Sequence, residues 1–143
     1  MPEKTAEVIE LIDGYRWYRT GDKGHLDQDG FLTIVDRYSR FAKIGGEMIS
    51  LTTVEEEILD ACNDKELEIA ATCLPDQRKG EKIVLLATNN IDKNKLKRLL
   101  FDAKVNPLYN PSQVLVVKEI PKLGSGKTDF GATKKIALVN EQK

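Results

Sequence analysis

Two short apolar runs, residues 69–74 and 83–87, stand on either side of Pro75-Asp76-Gln77-Arg78-Lys79-Gly80. They read as buried strands joined by a polar loop. A third short run, 114–117, reads as another strand. Helical spacing surrounds them. Val54, Ile58, Leu59 and Cys62 recur on one face after a capping box, formed by Thr52 with Glu55 or by Thr53 with Glu56, so a helix starts near Thr53. Asp92 caps a second helix in which Leu96, Leu99, Leu100 and Ala103 share a face, and Asn106-Pro107 and Asn110-Pro111 end it. A Gly-rich loop at 121–127 precedes a last helix over 130–139. The order from residue 49 onward is helix, strand, strand, helix, strand, loop, helix. That pattern predicts an α+β unit, a small three-stranded sheet with packed helices.

The earlier part of the chain reads differently. Residues 5–12 suit a short helix capped by Thr5 and ended by Gly14. Residues 25–27 and 31–35 flank a Gln28-Asp29-Gly30 turn and predict a β-hairpin. This stretch has little with which to close a core of its own, and it reads as the end of something larger. Residues 37–46 are basic and irregular, with Gly45 and Gly46 side by side, and read as a working loop rather than a core element.

Composition removes several function classes. The 143 residues carry 22 Lys+Arg against 23 Asp+Glu, a net charge of −1. That balance gives no bulk attraction to nucleic acid or anionic lipid, so no nucleic-acid partner is expected. No apolar run approaches a membrane span, and Glu3 and Glu7 do not suit a secretory signal. Cys62 and Cys73 show no metal-ligand spacing and read as reduced thiols of a cytoplasmic protein. The single histidine, His25, rules out a His-cluster metal site.

Several motifs bear on chemistry. In Gly124-Ser125-Gly126-Lys127-Thr128, a Gly-rich loop lets backbone N–H groups approach an anion, and Lys127 adds a mobile positive charge. A phosphate-binding P-loop requires glycine at position 121, which is Pro121. Asp27-Gln28-Asp29-Gly30 resembles part of a calcium loop, but His25 and Asp36 then fall at the outer ligand positions, and a hairpin turn explains the residues better. In Tyr18-Arg19-Thr20-Gly21-Asp22, a carboxylate after a glycine can accept hydrogen bonds from the vicinal hydroxyls of a ribose. Arg37, Arg40 and Lys43 form either a solvated basic loop or a set of phosphate contacts. Lys93, Lys95, Lys97 and Arg98 lie on a helix, either as a solvated face or as a surface for an acidic partner.

Three of these signals occur in a fixed order: Tyr18-Arg19-Thr20-Gly21-Asp22, then Asp36-Arg37 through Gly46 to Glu55, then Pro121-Lys122-Leu123-Gly124-Ser125-Gly126-Lys127. The ordered set resembles the C-terminal part of the adenylate-forming superfamily of acyl-CoA synthetases, peptide-synthetase adenylation domains and luciferases. Within it, the stretch from Arg40 to Leu51 looks most like bacterial acyl-[acyl-carrier-protein] synthetases, including the bifunctional 2-acylglycerophosphoethanolamine acyltransferase. Ser39, Met48, Leu51 and Asp36 depart from the commoner superfamily pattern.

The resemblance implies a division of labour. Residues 1–36 would end a large N-terminal adenylation domain, and 37–143 would form a mobile lid turning about a hinge at Ser39. Lys127 would bridge carboxylate and phosphate during adenylation. Asp22 and Arg37 would hold the nucleotide. Lys43, with the thiol-channel loop at Gly45 and Gly46, would serve the second half-reaction. The parent enzyme would use ATP with Mg2+, bound mainly in the large domain, and its partners would be that domain, a fatty acid and an acyl carrier protein. An acyl-CoA synthetase lid and a non-catalytic anion-binding module are the alternatives. The isolated fragment is expected to be inert, and the parent cytoplasmic or associated with the bacterial inner membrane.

Overall fold

The computed structural model describes residues 2–142. They divide into two compact units, Met1–Ser39 and Arg40–Lys143.

In the first unit, helix α1 (Pro2–Val8) runs into strand β1 (Ile9–Ile12), which pairs antiparallel with β2 (Tyr15–Tyr18). The predicted helix over 5–12 is therefore only half right. Asp13 and Gly14 both adopt positive φ, 52° and 80°. An Asp-Gly pair in that conformation makes the tight hairpin turn whose twist suits flanking strands. Pairing with β2 then decides the conformation of Ile9–Ile12, where the apolar spacing suggests helix. Strands β3 (Asp22–Leu26) and β4 (Leu32–Arg37) form the expected second hairpin, with a register shift between Lys23 and Gly24. Asp27 Oδ1 accepts the N–H groups of Asp29 and Phe31, each at 2.9 Å. This carboxylate closes the turn, which accounts for the calcium-like spacing without a calcium ion. No described side chain of this unit is buried.

The second unit holds the core. A 3-10 turn at Tyr38–Arg40 leads into β5 (Phe41–Ile44) and β6 (Glu47–Ser50), then α2 (Leu51–Cys62), β7 (Ile69–Asp76), β8 (Gly80–Ala87), α3 (Lys93–Asp102), a 3-10 turn at Pro107–Tyr109, β9 (Gln113–Val116) and α4 (Phe130–Glu141). Ser50 caps α2, accepting the Thr53 N–H at 3.2 Å, so the helix begins before the predicted capping box. Asp92 and Asp129 cap α3 and α4.

The architecture is α+β, as expected, but the sheet has five strands instead of three. Its order is β6-β5-β8-β7, with β9 parallel to β8. The extra strands come from residues 41–50, of which 41–46 are read above as part of a working loop. Ala42 and Ile44 point into the core and are buried. Only the tip of this hairpin, Gly45-Gly46, keeps the character of a loop.

Alternation explains the uninterrupted apolar run of β8. Ile83 and Leu85 pack with Val54, Ile58, Leu96 and Leu100 of α2 and α3. Val84 and Leu86 pack on the opposite face with Ala137 of α4 and Ile120. A strand covered on both faces must be apolar at successive positions. Among the described residues, no helix is long and apolar enough to cross a membrane.

Candidate functional site

Lys127 lies in a tight hairpin between β9 and α4. The Gly126 N–H donates to the Leu123 carbonyl at 2.9 Å, and the Leu123 N–H donates to the Lys127 carbonyl at 2.8 Å. Gly126 sits at φ 86°, a conformation costly for any side chain with a Cβ. Lys122 pairs with Thr128 across the hairpin, and its ammonium lies 3.1 Å from Glu68. Backbone bonds therefore hold the loop while the Lys127 side chain is exposed, with no ion pair among the described residues.

Lys43 is exposed on β5, next to the Gly45-Gly46 turn, where φ is 58° and 85°. The Gly45 N–H donates to the Lys79 carbonyl at 2.9 Å, and the Lys43 N–H donates to the Glu81 carboxylate. Lys43, Gly45, Gly46, Arg78 and Lys79 line a surface groove of about 570 Å³ together with Glu81. Arg78, Lys79 and Glu81 were not legible as part of this site. They reach it because Ile44 pairs with Gly80, a contact with no local sequence signal.

The two lysines belong to opposite ends of one ribbon. Lys43 adjoins Gly80, at the start of β8. The Lys127 hairpin is tethered to Glu68, which precedes Ile69, and Ile69 pairs with Ala87 at the other end of β8. β8 has 8 residues, so the two anchor points are roughly 25 Å apart at about 3.4 Å per residue.

In the first unit, Asp22 and Arg37 face each other in the β3–β4 register. Arg37 Nε lies 3.0 Å from Asp22 Oδ1, and Nη1 donates to the Thr20 carbonyl at 3.1 Å. The pair joins a carboxylate acceptor to a guanidinium donor on one edge of the hairpin. Asp22 is half-buried, and Arg37 is largely exposed. Ser39 is the last residue of this unit.

Arg40 does not belong with the candidate phosphate ligands. It is 5% exposed. Its guanidinium pairs with Glu55 at 2.7 Å, donates to the Ala71 carbonyl at 2.8 Å and lies 3.7 Å above the Phe130 ring centre. Its Nε is buried without a hydrogen-bond partner. Arg40 thus ties β5, α2, β7 and α4 together and has no surface to offer an anion.

Among the described residues, no group of His, Cys, Asp and Glu could hold a metal ion. Burial is the main cause raising the Cys62 and Cys73 thiol pKa values, with Asp64 adding to the first and Glu81 to the second. Neither is an activated nucleophile.

Comparison with known proteins places this geometry. No protein-family profile matches the chain. It is 33% identical over 126 residues to a 2-succinylbenzoate–CoA ligase of Listeria monocytogenes, covering 87% of this chain and 26% of that enzyme. It is 30% identical over 123 residues to a 4-chlorobenzoate–CoA ligase of Arthrobacter, covering 85% of this chain and 22% of the other. The ATP-bound structure of MatB from Rhodopseudomonas palustris superposes with a TM-score of 0.70 over 95% of this chain and 27% of that one, at 23% identity. The chain has the fold of an adenylate-forming enzyme's C-terminal domain. It spans about a quarter of the length of the curated relatives it matches.

Relatives of this adenylate-forming fold include both acyl- and aryl-CoA ligases, one of them a medium-chain-fatty-acid–CoA ligase. Within this fold, the structure brings Lys43, Gly45 and Gly46 together at one end of the sheet and holds Lys127 apart from them. Asp22 and Arg37 form a pair of their own in the other compact unit.

Proposed function

We propose that the chain is the C-terminal lid of a longer ATP-dependent ligase that joins a carboxylic acid to a thiol. In the first half-reaction a carboxylate oxygen attacks the α-phosphorus of ATP and pyrophosphate leaves. In the second, a thiolate attacks the acyl carbon and AMP leaves. Lys127 serves the first step by bridging the carboxylate and the α-phosphate, where negative charge gathers. A single preorganised donor of this kind is worth about 3–4 kcal/mol. Asp22 accepts the ribose hydroxyls, and Arg37 orients both carboxylate and sugar. In this reading ATP and its Mg2+ are bound mainly by the large domain of the longer polypeptide.

The observation that carries this reading is the separation of Lys127 and Lys43 along the β7–β8 ribbon. Two groups so far apart on one packed body cannot both serve one reacting centre without reorientation. A turn about Ser39, which lies at the boundary of the two units, exchanges them. The exposed Lys127 loop then faces the acyl-adenylate site in one half-reaction. The Lys43 groove and Gly45-Gly46 turn face it in the other.

The acid is a fatty acid and the acceptor a carrier-protein thiol in our reading, on the resemblance of residues 40–51 and 123–127 to acyl-carrier-protein synthetases. Several relatives are CoA ligases, which favours coenzyme A as a second reading.

The experiment separates the half-reactions in the longer polypeptide. Lys127→Ala should slow acyl-adenylate formation about 100-fold or more, while transfer from preformed acyl-adenylate to the thiol is largely retained. Lys43→Ala should show the opposite pattern. Equal loss in both half-reactions for either variant rejects the assignment.

A further inference from the structure

Helix α3 presents Lys93, Lys97 and Arg98 on its exposed surface, and none of them makes an ion pair among the described residues. Phe101, one turn beyond Lys97, is 80% exposed. Neither feature helps the helix. Cations in the first turn, Lys93 and Lys95, oppose the helix dipole. An unburied phenylalanine forgoes the transfer free energy that burial would supply. The fold gives no reason for this combination.

The surface continues to the candidate site. A groove of about 270 Å³ is lined by Lys97, Arg98, Phe101 and Asp102. A second, of about 230 Å³, shares Lys97 and includes Lys93, Lys79 and Ile44. The groove at the Gly45-Gly46 turn shares Lys79 and adds Lys43 and Arg78. Three grooves thus join end to end through Lys97 and Lys79. Six cations line them, and the carboxylates facing them are Glu81 and Asp102.

We infer that this track docks a small acidic protein carrying a thiol on a flexible arm. Phe101 is the apolar anchor, the α3 cations meet acidic side chains, and the arm runs past Lys79 towards the Gly45-Gly46 turn. The inference rests on the ligase reading above and identifies the face that receives the acceptor. A protein suits the track better than a free nucleotide does. From Lys93 to Phe101 alone the helix extends about 12 Å, and the track then continues past Lys79 to Lys43. An exposed aromatic ring within a charged rim is also how a protein interface is built.

The test measures binding of the 143-residue chain to a bacterial holo-acyl carrier protein and, separately, to coenzyme A, at low and high ionic strength. The carrier protein should bind, and high salt should weaken it about tenfold. Lys97→Glu combined with Arg98→Glu should weaken it about tenfold or more. Phe101→Ala should weaken it about fivefold while leaving the salt dependence as it was. Circular dichroism checks that each variant folds, and the two variants probe charge and apolar anchoring independently. Absence of carrier-protein binding, or binding by either variant as tight as by wild type, overturns the inference. So does coenzyme A binding with the same residue dependence while the carrier protein fails to bind. Binding requires no adenylation, so its failure is distinct from a failure of the Lys127 half-reaction test.

Discussion

The guanidinium of Arg40 and the carboxylate of Glu55 form a closed clamp: Nη2 lies 2.7 Å from Oε1, and the same oxygen accepts the Ala71 N–H at 2.7 Å. Nη1 returns to the Ala71 carbonyl at 2.8 Å. The two side chains together thus satisfy both backbone groups of Ala71 in β7, and Arg40 stands directly after the proposed hinge residue Ser39.

Glu55→Ala should destabilise the chain by about 3–5 kcal/mol, because it leaves a buried guanidinium unpaired. Replacing both partners, Arg40→Met with Glu55→Leu, should recover part of that loss: no charge then remains to be solvated, while the Ala71 N–H and carbonyl still lose their partners. Urea unfolding of the two variants checks this. A loss below about 1 kcal/mol for Glu55→Ala would mean that the clamp does not hold the second unit together.

The Asp22–Arg37 pair should behave in the opposite way. Arg37 is exposed, and surface ion pairs contribute about 0–1 kcal/mol. Asp22→Asn should leave the unfolding midpoint almost unchanged while raising the KM for ATP in the longer ligase. A large stability loss with an unaltered KM would assign the pair to folding instead.

At the hairpin tip the two glycines should differ. Gly46 sits at φ 85° and Gly45 at φ 58°, with open space around both. Gly46→Ala should cost about 1–2 kcal/mol of stability through backbone strain alone. Gly45→Asn should be nearly neutral, because asparagine tolerates the left-handed region. Thermal unfolding of the pair distinguishes strain from contact loss.

The Asp76 carboxyl is held below its ordinary value of 3.8 by the backbone N–H groups of Arg78 and then Lys79. A carboxylate whose folded pKa is depressed contributes stability that is present above the unfolded value and is lost as pH falls through the folded one. Wild type should therefore lose stability below about pH 4 more steeply than Asp76→Asn, which keeps an acceptor oxygen but does not titrate. Urea midpoints between about pH 2 and 5 give the comparison, and parallel curves would remove Asp76 from the acid response.

Much of the fold was legible in the residues themselves. The runs that became β7 and β8 announce buried strands because both of their faces are covered. Asp92, standing before a helical period, announces a capped helix. The Gly-rich stretch around Lys127 announces a backbone-held loop with a free cation. Each of these signals is local: propensity, periodicity or a cap acts within a few residues. What the sequence alone determined is therefore the α+β class and most helix and strand positions, while Lys127, Lys43, Asp22 and Arg37 stand out in it as candidate groups.

Pairing between distant residues decided the rest. Residues 41–50 become two strands because Ile44 meets the edge of β8 at Gly80. Ile9–Ile12 becomes a strand because Tyr15–Tyr18 returns beside it. Arg40 reads as one more basic loop residue until Glu55, Ala71 and Phe130 close around it. The distance between Lys43 and Lys127 exists only once β8 lies between them. Charge and hydropathy belong to single residues, whereas burial and separation arise from which segments pack together, so only the tertiary structure could turn two similar lysines into groups at opposite ends of one sheet.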